Sequence, residues 1–247
     1  MDSTVQKGLS ILEALATSER PRGVSELSRE MQLTKSNVQR LLSTLVELGY
    51  AQRDATTSQY SATLRMWEFG YRVLSRAEIR RAAATEFRAL HLAVKETVFL
   101  CVGSGYDVLY VDVIENQNPI RMFCSVGMRV PQWKTASGKV ILANRPENET
   151  EAALKLMQQA TPSPIDSGAW RELFAQIRKQ GCARSEGAFR PGVNSMAAPI
   201  RNSAGAVIAS IAITGPSERL TVERLETCSL GLILSAMRIS QTLGYSG

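Results

Sequence analysis

Residues 34–49 read TKSNVQRLLSTLVELG, and residues 50–64 continue as YAQRDATTSQYSATL. Apolar side chains recur in the first stretch at intervals of three and four residues, which is typical of an amphipathic helix. These side chains are Val38, Leu41, Leu42, Leu45 and Leu48. Thr34 has a hydroxyl suited to capping the helix N-terminus, and Gly49 suits a left-handed stop. The pattern predicts a capped helix with one buried face.

The opposite face of this helix is polar and has no acidic residue before Glu47. It carries Lys35, Ser36, Asn37, Gln39, Arg40, Ser43 and Thr44. Amide and guanidinium groups form paired hydrogen bonds with base edges, whereas hydroxyl and ammonium groups suit phosphates. A solvated helix face is the alternative interpretation. The lack of acid, together with the helix that precedes it, favours contact with DNA.

Two shorter helical patterns precede this segment. Val5–Ala16 places Leu9, Leu12 and Ala16 at helical spacing, and Ser25–Met31 follows a break at residues 19–23. The turn at residues 32–34 then joins two helices as in a helix-turn-helix.

A hairpin is predicted directly after Gly49, with a polar turn at residues 54–58. A helix-turn-helix followed at once by a hairpin is a winged helix. Outside the helix, the predicted DNA contacts are Ser25, Arg53, Ser58, Gln59 and Tyr60.

The remainder of the chain predicts a second domain. Residues 64–94 are helical in pattern and lead into strands at 97–102, 107–114 and 120–126. Further helices are predicted at 136–143, 149–160, 167–180 and 221–243, and further strands at 195–201 and 206–214. Strands packed with helices at both ends imply an α+β fold with an antiparallel sheet. The predicted domains are a DNA-binding domain at 1–64, a linker helix at 65–80 and a C-terminal domain at 81–247.

Two segments of this C-terminal domain bear on ligand binding. TASGKVILA, residues 135–143, lacks the first glycine of a phosphate-binding loop, but the free N–H groups at its helix start suit a carboxylate. In AVIASIAITG, residues 206–215, alternation places Ala212 and Thr214 on a face of mainly small residues. Such a face either borders a cavity or accepts a closely packed helix, and the sequence leaves both open.

Composition excludes several function classes. The chain has 247 residues with 29 Lys and Arg against 23 Asp and Glu, a net charge of +6 that suits a polyanionic partner. His91 is the single histidine, and the cysteines at 101, 124, 182 and 228 have no CxxC spacing. A catalytic triad, a metal site and an enzyme are therefore not expected, nor is a cofactor. We expect buried thiols in a cytoplasmic protein without a membrane span or signal peptide. A thiol-based or ligand-free regulator is the alternative.

Four segments resemble the IclR family of bacterial transcription regulators, and the match extends over nearly the whole chain. They are GLSILEALA, QRLLSTLVELGY, VGMRVPQWKTASGKVILA and SMAAPIRNSAGAVIASIAITGPSER. The resemblance implies a winged helix, a linker helix and a GAF-like α/β effector-binding domain. It also implies a homodimer that pairs into a dimer of dimers, a palindromic operator on double-stranded DNA and a small effector. RNA polymerase is a further expected partner if the protein activates transcription.

The resemblance also carries effector contacts onto this sequence. They are Met122, Ala136, Ser137, Ser185, Ser195, Ala212 and Thr214. Ser185 stands where several members have an acidic residue, and Trp133 replaces a common histidine, so the effector of those members is not expected here. Hydroxyl groups and helix N–H groups suit a carboxylate, and Met122, Trp133 and Phe189 suit an apolar body. An aromatic or other small organic acid is the predicted effector.

Overall fold

The computed structural model describes residues 3–118 and 125–247. The chain forms two compact units, Met1–Arg76 and Ala77–Gly247. None of its described helices is both long enough and apolar enough to cross a bilayer.

The first unit is a winged helix-turn-helix. Its elements are α1 (Ser3–Thr17), α2 (Val24–Glu30), α3 (Lys35–Glu47), β1 (Ala51–Arg53), β2 (Tyr60–Ala62) and α4 (Arg65–Ser75). Ile11 of α1, Leu27 of α2 and Leu42 of α3 are fully buried and form the centre of its core. α1 and α2 therefore pack against the apolar stripe of α3, and the polar side of α3 faces outward.

The ends of α3 agree with the sequence pattern. Thr34 accepts a hydrogen bond at Oγ1 from the Asn37 N–H, and Gly49 has a φ of +75°, which favours glycine. Leu9 and Ala16 depart from the prediction, because the buried stripe of α1 is formed by Ile11, Leu12, Ala14 and Leu15. Leu48 departs as well, because it is the C-cap residue of α3 and lies beyond the buried stripe of that helix. Leu9 is 61% exposed and Leu48 53% exposed.

The wing has one partner that the sequence did not indicate. β1 pairs antiparallel with β2, and Arg22 pairs with Tyr60 on the other side of β2. The N–H of Arg22 donates to the Tyr60 carbonyl, and the Tyr60 N–H donates to the Arg22 carbonyl, both at 2.8 Å. Arg22, which the sequence indicated only as part of a break between helices, thus holds the second edge of the hairpin.

The second unit is built on an antiparallel sheet. Its elements are α5 (Glu78–Val94), β3 (Thr97–Ser104), β4 (Asp107–Ile114), β5 (Arg129–Pro131), a 3-10 turn (Gln132–Lys134), α6 (Ala136–Ala143), α7 (Glu147–Ala160), α8 (Ser167–Gln180), β6 (Ala183–Glu186), β7 (Val193–Arg201), β8 (Val207–Pro216) and α9 (Val222–Thr242). Within the described residues the strand order is β5-β4-β3-β8-β7-β6, with every neighbouring pair antiparallel. The α+β class with an antiparallel sheet is confirmed.

Three features of this unit differ from the sequence prediction or lie beyond it. The helical pattern over residues 64–94 is two helices, because Ala77 has an extended backbone between α4 and α5. The short edge strands β5 and β6 were not predicted. The strand predicted at 120–126 falls largely on residues 119–124, outside the described part of the chain, while 125 and 126 are not in a strand.

Both faces of β8 are covered by helices. Ala212 packs with Ala197 and Ala183 of the neighbouring strands in the cluster that contains the buried side of α6. α5 and α9 contact the sheet as well, and Ile211 and Ile213 on the bulky side of β8 are fully buried. The small face of β8 therefore accepts a closely packed helix over part of its length.

Candidate functional site: an exposed helix face and an enclosed cavity

Most of the polar residues predicted on α3 are exposed. Those in contact with solvent are Lys35, Ser36, Gln39, Arg40, Ser43 and Thr44. Asn37 is half-buried, and its Oδ1 is enclosed without a hydrogen-bond partner among the described residues. Asn37 is thus the residue of this face least able to contact a base without a change of rotamer.

The wing presents a smaller polar surface. Arg53 donates through Nη2 to Ser58 Oγ at 2.8 Å, and both residues are exposed. At the tip, hydrogen bonds from the backbone and side chain of Thr57 and from the backbone of Thr56 lower the pKa of the Asp54 carboxyl. The Asp54 carboxylate at the tip therefore accepts hydrogen bonds from residues of its own turn. Ser25 is exposed, and Gln59 is half-buried.

Tyr60 was predicted to contact DNA, and the structure contradicts this. It is only 2% exposed, because its ring belongs to the core of the first unit. Its hydroxyl accepts a hydrogen bond from Gln39 Nε2 at 3.0 Å. Tyr60 lies behind the α3 face, and within the described part of the chain its side-chain hydrogen bond to that face is the one from Gln39.

A row of hydroxyl side chains crosses four strands of the second unit. The strand register pairs Ser185 with Ser195, Ser195 with Thr214, and Thr214 with Thr97. Because directly opposed residues share a face of the sheet, the four hydroxyl groups lie side by side. The adjacent row is Ala183, Ala197, Ala212 and Phe99. This face of the sheet is therefore apolar along the row that contains Ala212, and it carries hydroxyl groups along the next row, which contains Thr214.

An enclosed cavity lies at this end. Its lining is formed by Phe99, Tyr110, Lys134, Thr135, Ala136, Ser137, Ser185, Phe189, Arg190, Val193, Ser195, Ala212 and Thr214. Ser185 Oγ donates to the Lys134 carbonyl at 3.4 Å. The hydroxyl groups of Ser195 and Thr214 have no hydrogen-bond partner within residues 3–118 and 125–247. Two polar groups are therefore available to a bound molecule.

The start of α6 forms the opposite side. Thr135 caps the helix by accepting at Oγ1 from the Gly138 N–H at 3.0 Å, which leaves the N–H groups of Ala136 and Ser137 outside the helix ladder. A β-carbon at Gly138 would lie 2.2 Å from the Gln132 carbonyl oxygen. Glycine at this position is what lets the 3-10 turn fold back against α6 and set the helix N-terminus at the cavity.

The remaining walls are apolar and cationic. Phe99 and Tyr110 meet edge to face with ring centroids 4.9 Å apart, and the Arg190 guanidinium lies 5.4 Å from the Phe189 ring. Lys139 of the TASGK segment does not line the cavity. Its Nζ lies 3.4 Å from the Arg184 carbonyl, and burial lowers its pKa against the raising effect of Glu186.

The cavity encloses about 30 Å³, which is room for one or two water molecules. Seven of the nine predicted effector contacts line it: Ala136, Ser137, Ser185, Phe189, Ser195, Ala212 and Thr214. Trp133 is half-buried in the 3-10 turn and is not part of the described lining. Met122 falls outside the described residues. Phe99 and Tyr110 were missed, because an aromatic residue in a buried strand is typical of an ordinary core.

Comparison with known proteins places the two sites in a family. Residues 4–55 match the IclR helix-turn-helix domain, and residues 71–241 match the bacterial transcriptional regulator IclR C-terminal domain. The chain belongs to the IclR family. It is 33% identical to the HTH-type transcriptional regulator KdgR of Escherichia coli over 98% of this chain and 93% of that protein.

Solved IclR structures share the fold across the whole chain. The Thermotoga maritima IclR structure superposes with a TM-score of 0.76 at 29% identity, covering 99% of this chain and 100% of that one. An IclR homologue from Microbacterium hydrocarbonoxydans, solved in complex with 4-hydroxybenzoate, superposes with a TM-score of 0.80 at 22% identity, covering 97% and 98%. This IclR-type regulator therefore has a DNA-binding helix-turn-helix and a C-terminal effector domain.

Proposed function

We propose that this protein binds a palindromic operator through α3 and the wing, and that a small organic acid in the cavity beside α6 changes its affinity for that operator. The observation that carries the effector half is the pairing of two unoccupied hydroxyl groups, on Ser195 and Thr214, with an open helix N-terminus. Hydroxyl donors and a positive helix end together favour a carboxylate.

The exposed α3 face supports sequence-specific binding. Arg40 and Gln39 have the donors and acceptors that read base edges, and Lys35 and Ser36 suit the backbone phosphates. The wing adds Arg53 and Ser58, which are exposed and carry groups suited to backbone phosphates. In this arrangement the helix specifies the sequence and the wing fixes the orientation of the unit on the duplex.

The apolar lining favours an aromatic acid. Phe99, Tyr110, Phe189 and Val193 surround the hydroxyl groups, and edge-to-face packing on Phe99 suits a flat ring. The complex of the Microbacterium protein indicates that this fold can hold an aromatic carboxylate. Because the enclosed volume is about 30 Å³, entry of such a ligand requires side chains of the lining to move outward.

The first unit also favours a homodimer, consistent with a palindrome. Val5, Leu9 and Leu48 are each more than half exposed along a groove between α1 and α3. Covering these side chains with a second copy removes apolar surface from water. We assign residues 1–64 to operator binding, 65–80 to the linker and 81–247 to effector binding and oligomerisation. The proposed setting is the cytoplasm, with no catalytic activity and with RNA polymerase as a further partner of an activator.

Selection of genomic fragments by the purified full chain, at near-physiological salt, tests this function. We expect one palindrome to be enriched, and its strength to change when the selection is repeated with pooled organic acids. Weak, uniform enrichment under both conditions would contradict sequence-specific binding. Enrichment that no acid alters would leave operator binding standing and contradict the assigned effector.

A further inference from the structure

The position of the Tyr60 side chain is fixed from three directions. Its backbone pairs with Arg53 of β1 on one edge and with Arg22 on the other, and its ring is buried in the core of the first unit. Because the backbone is paired on both edges and the ring is buried, the hydroxyl oxygen of Tyr60 is held at one position. The hydroxyl therefore acts as a fixed point at the base of the wing.

Gln39 is the residue of the α3 face that is hydrogen-bonded to the Tyr60 hydroxyl. Its Nε2 donates to Tyr60 Oη at 3.0 Å, a bond between the side chains of two different elements. Among the described residues of the face, Ser36 bonds only to the neighbouring cap Thr34, and Thr44 bonds to the Arg40 carbonyl within the helix. Gln39 is thus anchored by a side chain of another element, whereas the hydrogen bonds of Ser36 and Thr44 stay within α3 and its cap.

The chemistry of the amide shows why this anchor is compatible with DNA contact. A glutamine that reads adenine accepts at Oε1 from the base amino group and donates one N–H to the ring nitrogen N7. The second N–H of Nε2 has no role in that pair. Donation of this second N–H to Tyr60 leaves the base-reading edge of the amide free, and it fixes the plane of that edge before DNA arrives.

We propose that Tyr60 is a positioning residue for base recognition and that it presents Gln39 to an adenine in each half-site of the operator. The proposal rests on operator binding by α3 as argued above. It assigns Tyr60 an effect on sequence preference although the side chain is buried and makes no contact with DNA.

The test is a selection from randomised duplexes with the full chain. We compare the original protein with Gln39→Ala, Tyr60→Phe and the double variant, and with Ser61→Ala as a matched control. Ser61 lies next to Tyr60 in β2, and Ser61→Ala removes a side-chain hydrogen bond with Gln52 in the same hairpin without touching α3. Binding to base-substituted duplexes and to an unrelated duplex is then measured for each protein.

We expect Gln39→Ala to lower the preference for adenine at one position of the half-site by about 10-fold or more. Tyr60→Phe should lower it at the same position by about 2- to 10-fold, the net effect of one hydrogen bond. The double variant should match Gln39→Ala, since the hydroxyl acts only through the amide. Affinity for the unrelated duplex should not change, and Ser61→Ala should keep the original preference.

Gln39→Asn examines the same link without altering a buried residue. The shorter side chain keeps the amide but withdraws it from both Tyr60 and the base, so we expect loss of the same preference and no further loss when Tyr60→Phe is added. Additive effects of Gln39→Ala and Tyr60→Phe, or effects at different base positions, would overturn the proposal. An equal loss on all duplexes with Tyr60→Phe would also overturn it, by showing a purely structural role. If the original protein selects no sequence, operator binding itself is wrong.

Discussion

Ser195 is a single hydroxyl whose removal separates ligand binding from folding. Its side chain lines the cavity, has no hydrogen-bond partner among the described residues, and lies between Ser185 and Thr214 in the register. We expect Ser195→Val to weaken binding of the acid by about 1 kcal/mol or more while the protein stays folded, because valine suits a β-strand and has no hydroxyl group to donate. Calorimetric titration with the acid found in the pooled selection measures this.

A matched change tests whether the loss belongs to the cavity. Ser203 lies in the turn between β7 and β8, outside the cavity lining, and Ser203→Val removes a hydroxyl from the turn that joins these two strands. It should leave acid affinity at the original value. Unchanged affinity in Ser195→Val, with folding intact, would show that the acid does not use this hydroxyl.

Glu96 is a buried carboxylate whose charge the fold requires. It is 2% exposed, Arg219 contacts both of its oxygens at 2.7 and 3.0 Å, and Asn116 Nδ2 donates at 2.8 Å. Burial acts to raise the pKa of Glu96, but hydrogen bonds from Arg219 and Asn116 and the charges of Arg219 and Arg224 outweigh it. The pKa therefore lies below its ordinary value of 4.5.

This lowered pKa predicts the pH dependence of stability. A carboxyl group with a depressed folded-state pKa stabilises fully above 4.5, and its contribution is lost as the pH falls through the folded-state pKa. We expect Glu96→Gln to lower the free energy of unfolding at pH 7 by about 3 kcal/mol, because the buried carboxylate that faces Arg219 is then replaced by a neutral amide. Urea denaturation should show this difference shrinking between pH 4.5 and pH 2.

The exposed pair of Glu151 and Arg171 is the control for that experiment. Arg171 contacts both oxygens of Glu151 at 2.7 and 2.9 Å, so the geometry resembles that at Glu96 while solvent surrounds the pair. Glu151→Gln should change stability far less. A difference for Glu96→Gln that does not vary with pH would mean that packing, and not charge, is what the substitution removes.

At the scale of elements, α3 carries the most specific expectation about DNA. Arg40 and Lys35 are both exposed on this helix, but guanidinium recognises a base edge by two bonds and an ammonium suits a phosphate. We expect Arg40→Ala to weaken operator binding by about 1–3 kcal/mol and to relax one base position. Lys35→Ala should weaken binding to all duplexes alike. Equal losses on every sequence with Arg40→Ala would make Arg40 a phosphate contact.

The elements show which parts of the fold the sequence predicts and why. α6 begins and ends where the pattern predicts, and Thr135 caps its N-terminus, although seven of its eight residues are buried and no polar face marks it. The bridge between Arg22 and Tyr60 was not predictable, since a single bridging residue leaves no alternation to detect. The outward side of Leu9 was missed for a similar reason. Helical spacing shows that an apolar stripe exists, but not which of two neighbouring stripes meets the core.

Across the whole molecule, the candidate sites were predicted unequally. The α3 face lies on one helix, so its residues could be named from periodicity. Tyr60 of β2 was wrongly added to the DNA contacts, because its burial depends on the fold of the wing. The cavity draws on β3, β4, β6, β7, β8 and α6, which only the sheet register brings together. Alternation alone placed Ala212 and Thr214 correctly on one face. It could not show that Thr97, Ser185 and Ser195 share a row with Thr214.

Linkage between the two sites is the prediction that concerns the whole chain. If the acid changes operator affinity by some factor, the operator must change acid affinity by the same factor. The reason is that the two orders of binding connect the same free protein to the same ternary complex, so their total free energies are equal. We expect a factor of about 5 to 150, typical of allosteric coupling. Titration of the acid with and without a saturating operator duplex measures it, and a scrambled duplex is the control. Equal acid affinity under all three conditions would mean that the cavity binds its ligand without regulating DNA binding, so that its occupancy serves only the stability of the second unit.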